Sequence, residues 1–405
     1  MNATTQRPRV NPRLALQALG YGAIAGLTSI LTFKGMTWLQ HLVWDGLGLP
    51  IYVTILLGGA LLILIGWWAP TEDLETLLRH SEDPGHLPRR AVAATAFAAI
   101  VAVAFGGAIG PEAGIVAVVA QMSAIVTHLI ARDVDTQRVI GQAGNAGALG
   151  GLYGSPPGAA AIDGDDLGQG KALQLAAGFA GFFVFVGVAK LTSSGEGGHI
   201  ALPAIGEPQP FLLLVVAVVA AAAGLLFRGL HHAFEQVTAG IKRRWLVVAG
   251  GTVLFAALAT VQPLLRFSGH HELNDLLPLI QNSQWSLLLA IAVGKVVAVA
   301  LCLVSGWRGG EFFPLVFTGA AIGAALSVLL PGLDAGSAMA TGMVATAAVG
   351  WKRTVAVLLI LILLIDAPVA LPLLIGAGVA YVFGLMVPPA SSSPSPAPDS
   401  PAHPR

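Results

Sequence analysis

The sequence predicts an all-α integral membrane protein whose helices are many, tilted and repeatedly broken. Three observations predict it. Of 405 residues, 55% are hydrophobic and 10% charged, with a mean hydropathy of +0.78, which excludes a water-soluble domain with a charged surface. Apolar runs such as LLLVVAVVAAAAGLLF (212–227) and VAVLLILILLI (355–365) recur along the chain. Such runs suit a hydrocarbon layer of roughly 30 Å, and the alternating pattern of a membrane barrel is missing. Glycine interrupts the apolar segments around 107–121, 141–162, 306–330 and 336–350. These are expected to be broken or re-entrant helices, buried in protein or lining a watery cavity, because unpaired backbone does not face lipid.

Formal net charge is zero, so nothing points to nucleic acid. The charges cluster: Arg7, Arg9 and Arg13 precede the first span, Arg89 and Arg90 another, and Lys242, Arg243 and Arg244 lie between two. The positive-inside rule makes these segments, and both termini, cytoplasmic. Cys302 is the single cysteine, which rules out an internal disulfide or a thiolate metal site. The pairs His231/His232 and His270/His271 point in divergent directions on a helix and suggest no metal site; no cofactor is expected. The chain divides into a cytoplasmic N-terminal segment (1–14), a transmembrane domain (15–387) and a Ser/Pro-rich tail (388–405) with nothing to bury, expected to be disordered.

The transmembrane domain contains an internal repeat, with halves of approximately 15–190 and 208–387. GGAIGPEAGIVAVVAQ (106–121) and GGEFFPLVFTGAAIGA (309–324) share a Gly-x-x-x-Pro core followed by a small-residue helix. In each half a second glycine-rich segment follows: GQAGNAGALGGLYGSPPGAAA, then AGSAMATGMVATAAVGWKRTV. Matching interruptions in two halves point to a midplane site between repeats. Gly107 to Pro111 reads as the start of a half-helix, with proline in the first turn, where its missing N–H costs nothing. The amides of Ala108, Ile109 and Gly110, with the positive end of the helix dipole, would then bind an anion without a cationic side chain. Gly310 to Pro314 supplies the amides of Glu311, Phe312 and Phe313 in the same way. Each segment alone reads equally as a kinked helix packed through small residues; the pair is more specific.

GGEFFP fits the GxFxP signature of the CLC chloride channels and proton-coupled chloride antiporters, and the segment from Phe267 through it resembles theirs. GAIGP sits where that family has G(K/R)EGP, and GLYGSPPGAAAIDGDD is similar to the family's proline turn before an acidic pair. The resemblance covers roughly residues 15–385. It implies a CLC-like fold of two inverted repeats, a homodimer with an anion pathway in each subunit, and chloride or a similar small monovalent anion as cargo across a prokaryotic plasma membrane.

Departures from the family bear on mechanism. The residue matched to the gating glutamate of G(K/R)EGP is Ile109, which neither gates nor carries a proton, so passive conduction is expected over proton exchange. The family's GSGIP is matched by Gly66-Trp67-Trp68-Ala69-Pro70, without the serine hydroxyl, and Tyr381 comes too early to be the family's pore tyrosine. Glu112 is a candidate relocated gate, or a carboxylate stabilised at a helix N-terminus. Glu311, inside the second anion-binding turn, must be protonated or point away. Asp165 and Asp166 fall at the family's acidic pair; Asp166 is a candidate proton-pathway residue, or simply a solvated cap. No HExxH, GxSxG or paired-cysteine pattern suggests an enzyme, leaving a non-transporting scaffold as the alternative from another class.

Overall fold

The structure, a computed structural model, describes residues 12–130, 134–162, 169–192, 199–207 and 209–386. The tail 388–405, residues 1–11 and the acidic pair Asp165/Asp166 lie outside the described residues. The first half contains α1 (Pro12–His41), α2 (Ile51–Trp68), α3 (Leu74–Ser81), α4 (Arg89–Ala104), α5 (Glu112–Ile130), α6 (Val134–Leu152), α7 (Pro156–Ala160) and α8 (Gln169–Leu191). The second contains α9 (Pro210–Ala239), α10 (Arg244–Val261), α11 (Leu277–Gln281), α12 (Trp285–Val304), α13 (Phe312–Leu329), α14 (Ala335–Trp351), α15 (Thr354–Leu364) and α16 (Ala370–Met386). Among the described residues eight helical segments are long and apolar enough to cross a membrane, as the composition requires.

Local sequence explains where helices start. Asp73 accepts the Thr76 N–H at 2.8 Å to cap α3, Asp334 accepts the Ser337 N–H at 2.7 Å to cap α14, and Ser155 caps the short α7 through Gly158. Proline opens α7 and α9. One face of α9, Leu213, Val216, Ala217, Ala220, Ala221 and Gly224, is buried at helical spacing and rests on α14, where the Thr346 hydroxyl donates to the Ala220 carbonyl at 2.8 Å.

Helices α13 and α14 form the centre. Every residue from Phe312 to Ala325 and from Gly336 to Trp351 is buried, which suits helices apolar on all sides. Their contact is made by backbone: a Cβ on Gly319 would strike the Gly342 carbonyl, and one on Gly342 would strike Gly319. The first half repeats the device, with Gly22 and Gly26 of α1, Gly147 of α6 and Gly181 of α8 in mutual backbone contact. With little hydrophobic driving force between helices in lipid, such close approach supplies the dispersion energy.

These contacts change one expectation. The segment 336–350 is not broken: it lies within the continuous α14, and its glycines serve packing. The small residues of α8 are likewise used inside the subunit, against α1 and α6, so its exposed face is made of large residues such as Phe179 and Phe183.

Gly147→Val should lower the thermal unfolding midpoint in detergent, by the roughly 1–3 kcal/mol typical of overpacking. Gly187→Val, at a helical position with open space around a Cβ, carries the same loss of helix propensity and should shift it far less. Matching shifts for the two variants would count against backbone contact as the cause.

Candidate functional site

After α4 the chain turns through Gly106 at φ +85°, and after α12 through Gly306 at φ +85°, a conformation in which glycine avoids the strain of a side chain. The hydrogen bonds around the two turns correspond one for one: Phe105 N–H to Val101, Gly106 to Val103 and Gly107 to Ala102 in one, Ser305 to Leu301, Gly306 to Leu303 and Trp307 to Cys302 in the other. The segments then meet. Gly110 N–H donates to the Gly310 carbonyl at 2.7 Å and Gly310 N–H to the Gly110 carbonyl at 3.1 Å. This reciprocal antiparallel pair relates the two breaks by a local two-fold axis, the geometry of inverted repeats.

The pairing corrects the register read from the glycine doublets and prolines. Gly310 is the partner of Gly110, not of Gly107, and Pro111 is not equivalent to Pro314. Pro111 immediately precedes α5, whereas Pro314 is the third residue of α13. Glu311, Phe312 and Phe313 do open the first turn of α13, where amides lack intrahelical acceptors. In the first half that role belongs to Glu112, Ala113 and Gly114 rather than Ala108, Ile109 and Gly110. The Gly110 N–H is consumed by the pair, and the Ile109 side chain is buried against Gly309. Glu112 stands two residues after the paired Gly110, as Phe312 stands after Gly310, and Ile109 one residue before it.

Glu112 is fully buried. Its carboxylate fills the space above the α-carbons of both paired glycines, so that a Cβ at Gly110 or Gly310 would overlap it. The carboxylate thus lies where the two helix N-termini converge. Neither of its oxygens, nor the hydroxyl of the fully buried Tyr153, has a partner at ordinary hydrogen-bond geometry. Tyr153, which follows α6, faces Glu112. Its ring packs on Phe312 at 4.9 Å, Phe313 at 5.7 Å and Trp351 at 6.2 Å. It was missed in the sequence, although a polar aromatic in GGLYGSPPG is a readable signal.

Glu311, the residue before α13, is partly buried; it feels the charges of Arg353, Asp73 and Glu75, and its own charge acts on Glu112. The stretch Gly66-Trp67-Trp68-Ala69-Pro70 does not enter the site: Trp67 and Trp68 are exposed at the end of α2. Thr71 beyond it binds Arg308, with Nε donating to its hydroxyl at 2.9 Å and Nη2 to its carbonyl at 3.2 Å. Tyr381 is exposed on α16.

On another side a loop straps the two halves. Phe267 N–H donates to the Gly106 carbonyl at 3.1 Å. The buried Lys295 ammonium of α12 donates to the carbonyls of Leu264, Leu265, Arg266 and Phe267 at 3.2, 3.4, 2.8 and 2.8 Å. Backbone dipoles thereby replace water around a buried charge, which would otherwise be very costly. The loop sets the His270 ring 4.8 Å from Phe313. Burial, and then the neighbouring His271, push the His270 imidazole down to about 3, so at neutral pH it adds no charge beside the half-helix.

Gly310→Ala should weaken halide binding measured by calorimetry at least tenfold, since its new methyl group fills the space that the Glu112 carboxylate occupies and that a competing anion would need. Gly378→Ala, with open space at the same point, should bind as the unaltered protein does. Equal binding by both would detach the site from the paired glycines.

The profile of the voltage gated chloride channel family matches residues 72–385. The chain is 29% identical over 358 residues to "Putative ion-transport protein YfeO" of Shigella flexneri, covering 81% of this chain and 82% of the relative. It is 28% identical, over the same shares, to the Escherichia coli O7:K1 protein of that name. Among solved structures it resembles a CLC-type fluoride/proton antiporter (TM-score 0.72, 17% identity, 93% of this chain and 97% of that one). It also resembles a slow cyanobacterial Cl-/H+ antiporter (TM-score 0.71, 17% identity, 93% and 95%). The paired half-helices thus sit within the CLC fold, and the chain is a multi-pass membrane protein of the voltage-gated chloride channel family, whose members transport anions.

Proposed function

We propose that the protein exchanges chloride or a similar small monovalent anion for protons across a bacterial plasma membrane, with Glu112 as its gate. The observation that carries this reading is the Glu112 carboxylate seated over both Gly110 and Gly310. The sequence favoured passive conduction because Ile109 was matched to the gate; counting from the paired Gly110, two residues before Glu112, supports Glu112 in that position instead. What remains is a titratable group at the convergence of two helix dipoles.

Its chemistry follows from charge. Ionised, the carboxylate competes with the anion for the positive ends of α5 and α13. Protonated, it is neutral, loses that attraction and withdraws, carrying the proton with it. The anion then rests on the first-turn amides of Glu112, Ala113 and Gly114 and of Glu311, Phe312 and Phe313. Backbone dipoles without a cationic ligand hold it weakly enough to leave. Asp166, at the family's acidic pair, is the candidate for the cytoplasmic proton step, and both termini are cytoplasmic in this reading.

In liposomes a chloride gradient should drive uphill proton movement, and Glu112→Gln should abolish that movement while anion flux persists. Undiminished proton movement in Glu112→Gln would transfer the role to Glu311 or Asp166. Anion flux in the unaltered protein without proton movement, insensitive to pH, would restore the passive reading. Absence of any flux would favour a scaffold.

The protein acts as a homodimer in this proposal. The outward faces of α8 and α16 carry Phe179, Phe183, Leu374 and Leu385, large apolar residues able to form a subunit interface in the membrane. Light scattering in mild detergent should give twice the subunit mass of 41.4 kDa; an active species of single-subunit mass would refute it.

A further inference from the structure

We infer that the Tyr153 hydroxyl is an anion-selecting ligand of this site, facing the Glu112 carboxylate when that group is seated and donating its hydrogen bond to the transported anion when it has withdrawn. The inference rests on the proposed role of Glu112 and adds to it a side-chain ligand from the first half of the chain.

Three buried polar atoms that lack a partner at ordinary hydrogen-bond geometry, Glu112 Oε1, Glu112 Oε2 and Tyr153 Oη, face one another. A hydroxyl buried without a partner ordinarily costs about 1–3 kcal/mol, and the ring alone would pack as well in phenylalanine. The neighbouring hydroxyl is already committed: Ser155 Oγ accepts from the Gly158 N–H and donates to the Leu359 carbonyl at 2.7 Å. Tyr153 therefore holds the available donor. Its ring is fixed against Phe312, Phe313 and Trp351, and Gly154 turns the chain away immediately afterwards at φ +62°. Little conformational entropy is lost when the hydroxyl meets a ligand.

The chemistry sets the preference. A neutral phenol is both donor and acceptor, so it pairs with a carboxylate or a halide without neutralising either. A single directed O–H favours a small, charge-dense anion such as fluoride or chloride over nitrate or thiocyanate, whose charge is spread across several atoms. The backbone amides then attract anions in general, and Tyr153 discriminates among them.

Tyr153→Phe keeps the ring and removes the donor. It should reduce chloride and fluoride binding about tenfold, as expected for loss of a charge-assisted hydrogen bond, while nitrate and thiocyanate change little, so that the chloride-to-nitrate flux ratio falls. The thermal midpoint should hold or rise. Unchanged halide affinity and an unchanged ratio in Tyr153→Phe would overturn the inference while leaving Glu112 as gate. No anion binding by the unaltered protein would overturn both. Should the variant fail to fold, fluorine NMR of the unaltered protein labelled with 3-fluorotyrosine reports on its four tyrosines. One resonance, retained in Tyr21→Phe, Tyr52→Phe and Tyr381→Phe, should move on chloride titration; no such resonance would again refute the ligand.

Discussion

The reciprocal pair between Gly110 and Gly310 is the constraint on which the rest of this architecture depends. Two backbone hydrogen bonds satisfy groups that a broken helix would otherwise leave bare deep inside the protein. They also fix α5 and α13 so that their N-termini converge. Only residues without a Cβ leave room there for the Glu112 carboxylate. A single backbone contact thus sets the symmetry, the electrostatics and the access of the site.

The surrounding packing keeps that contact in place. Glycine against glycine brings α13 onto α14 and α1 onto α6 and α8, and the Lys295 ammonium ties the loop from Leu264 to Phe267 across the breaks. Aromatic side chains close one side, with Phe312 5.2 Å from Trp351 and Tyr153 between them and Glu112. The surroundings of the carboxylate are therefore closely packed, while its own oxygens have no partner at ordinary hydrogen-bond geometry.

Much of this was legible in the residues. Gly106 and Gly306, the aligned apolar runs and the acidic and serine caps announce themselves locally, because composition and backbone freedom act over a few residues. The register was not legible. Proline is tolerated at several positions of a helix's first turn, so matching Pro111 with Pro314 placed the first half three residues out of step with the backbone pair. The better markers were the glycines four residues apart, Gly106 with Gly110 and Gly306 with Gly310.

By itself, then, the sequence determined a membrane protein of two helical halves, each interrupted by glycine, and it named Glu112, Glu311 and Asp166 as carboxylates to weigh. Tertiary structure decided that Gly110 meets Gly310, that the Glu112 carboxylate fills the space over both glycines, and that Tyr153 faces Glu112. The reason is physical. Helix formation and breakage are encoded within a turn or two, whereas the approach of residues 200 positions apart depends on packing between helices, which no short stretch of sequence carries.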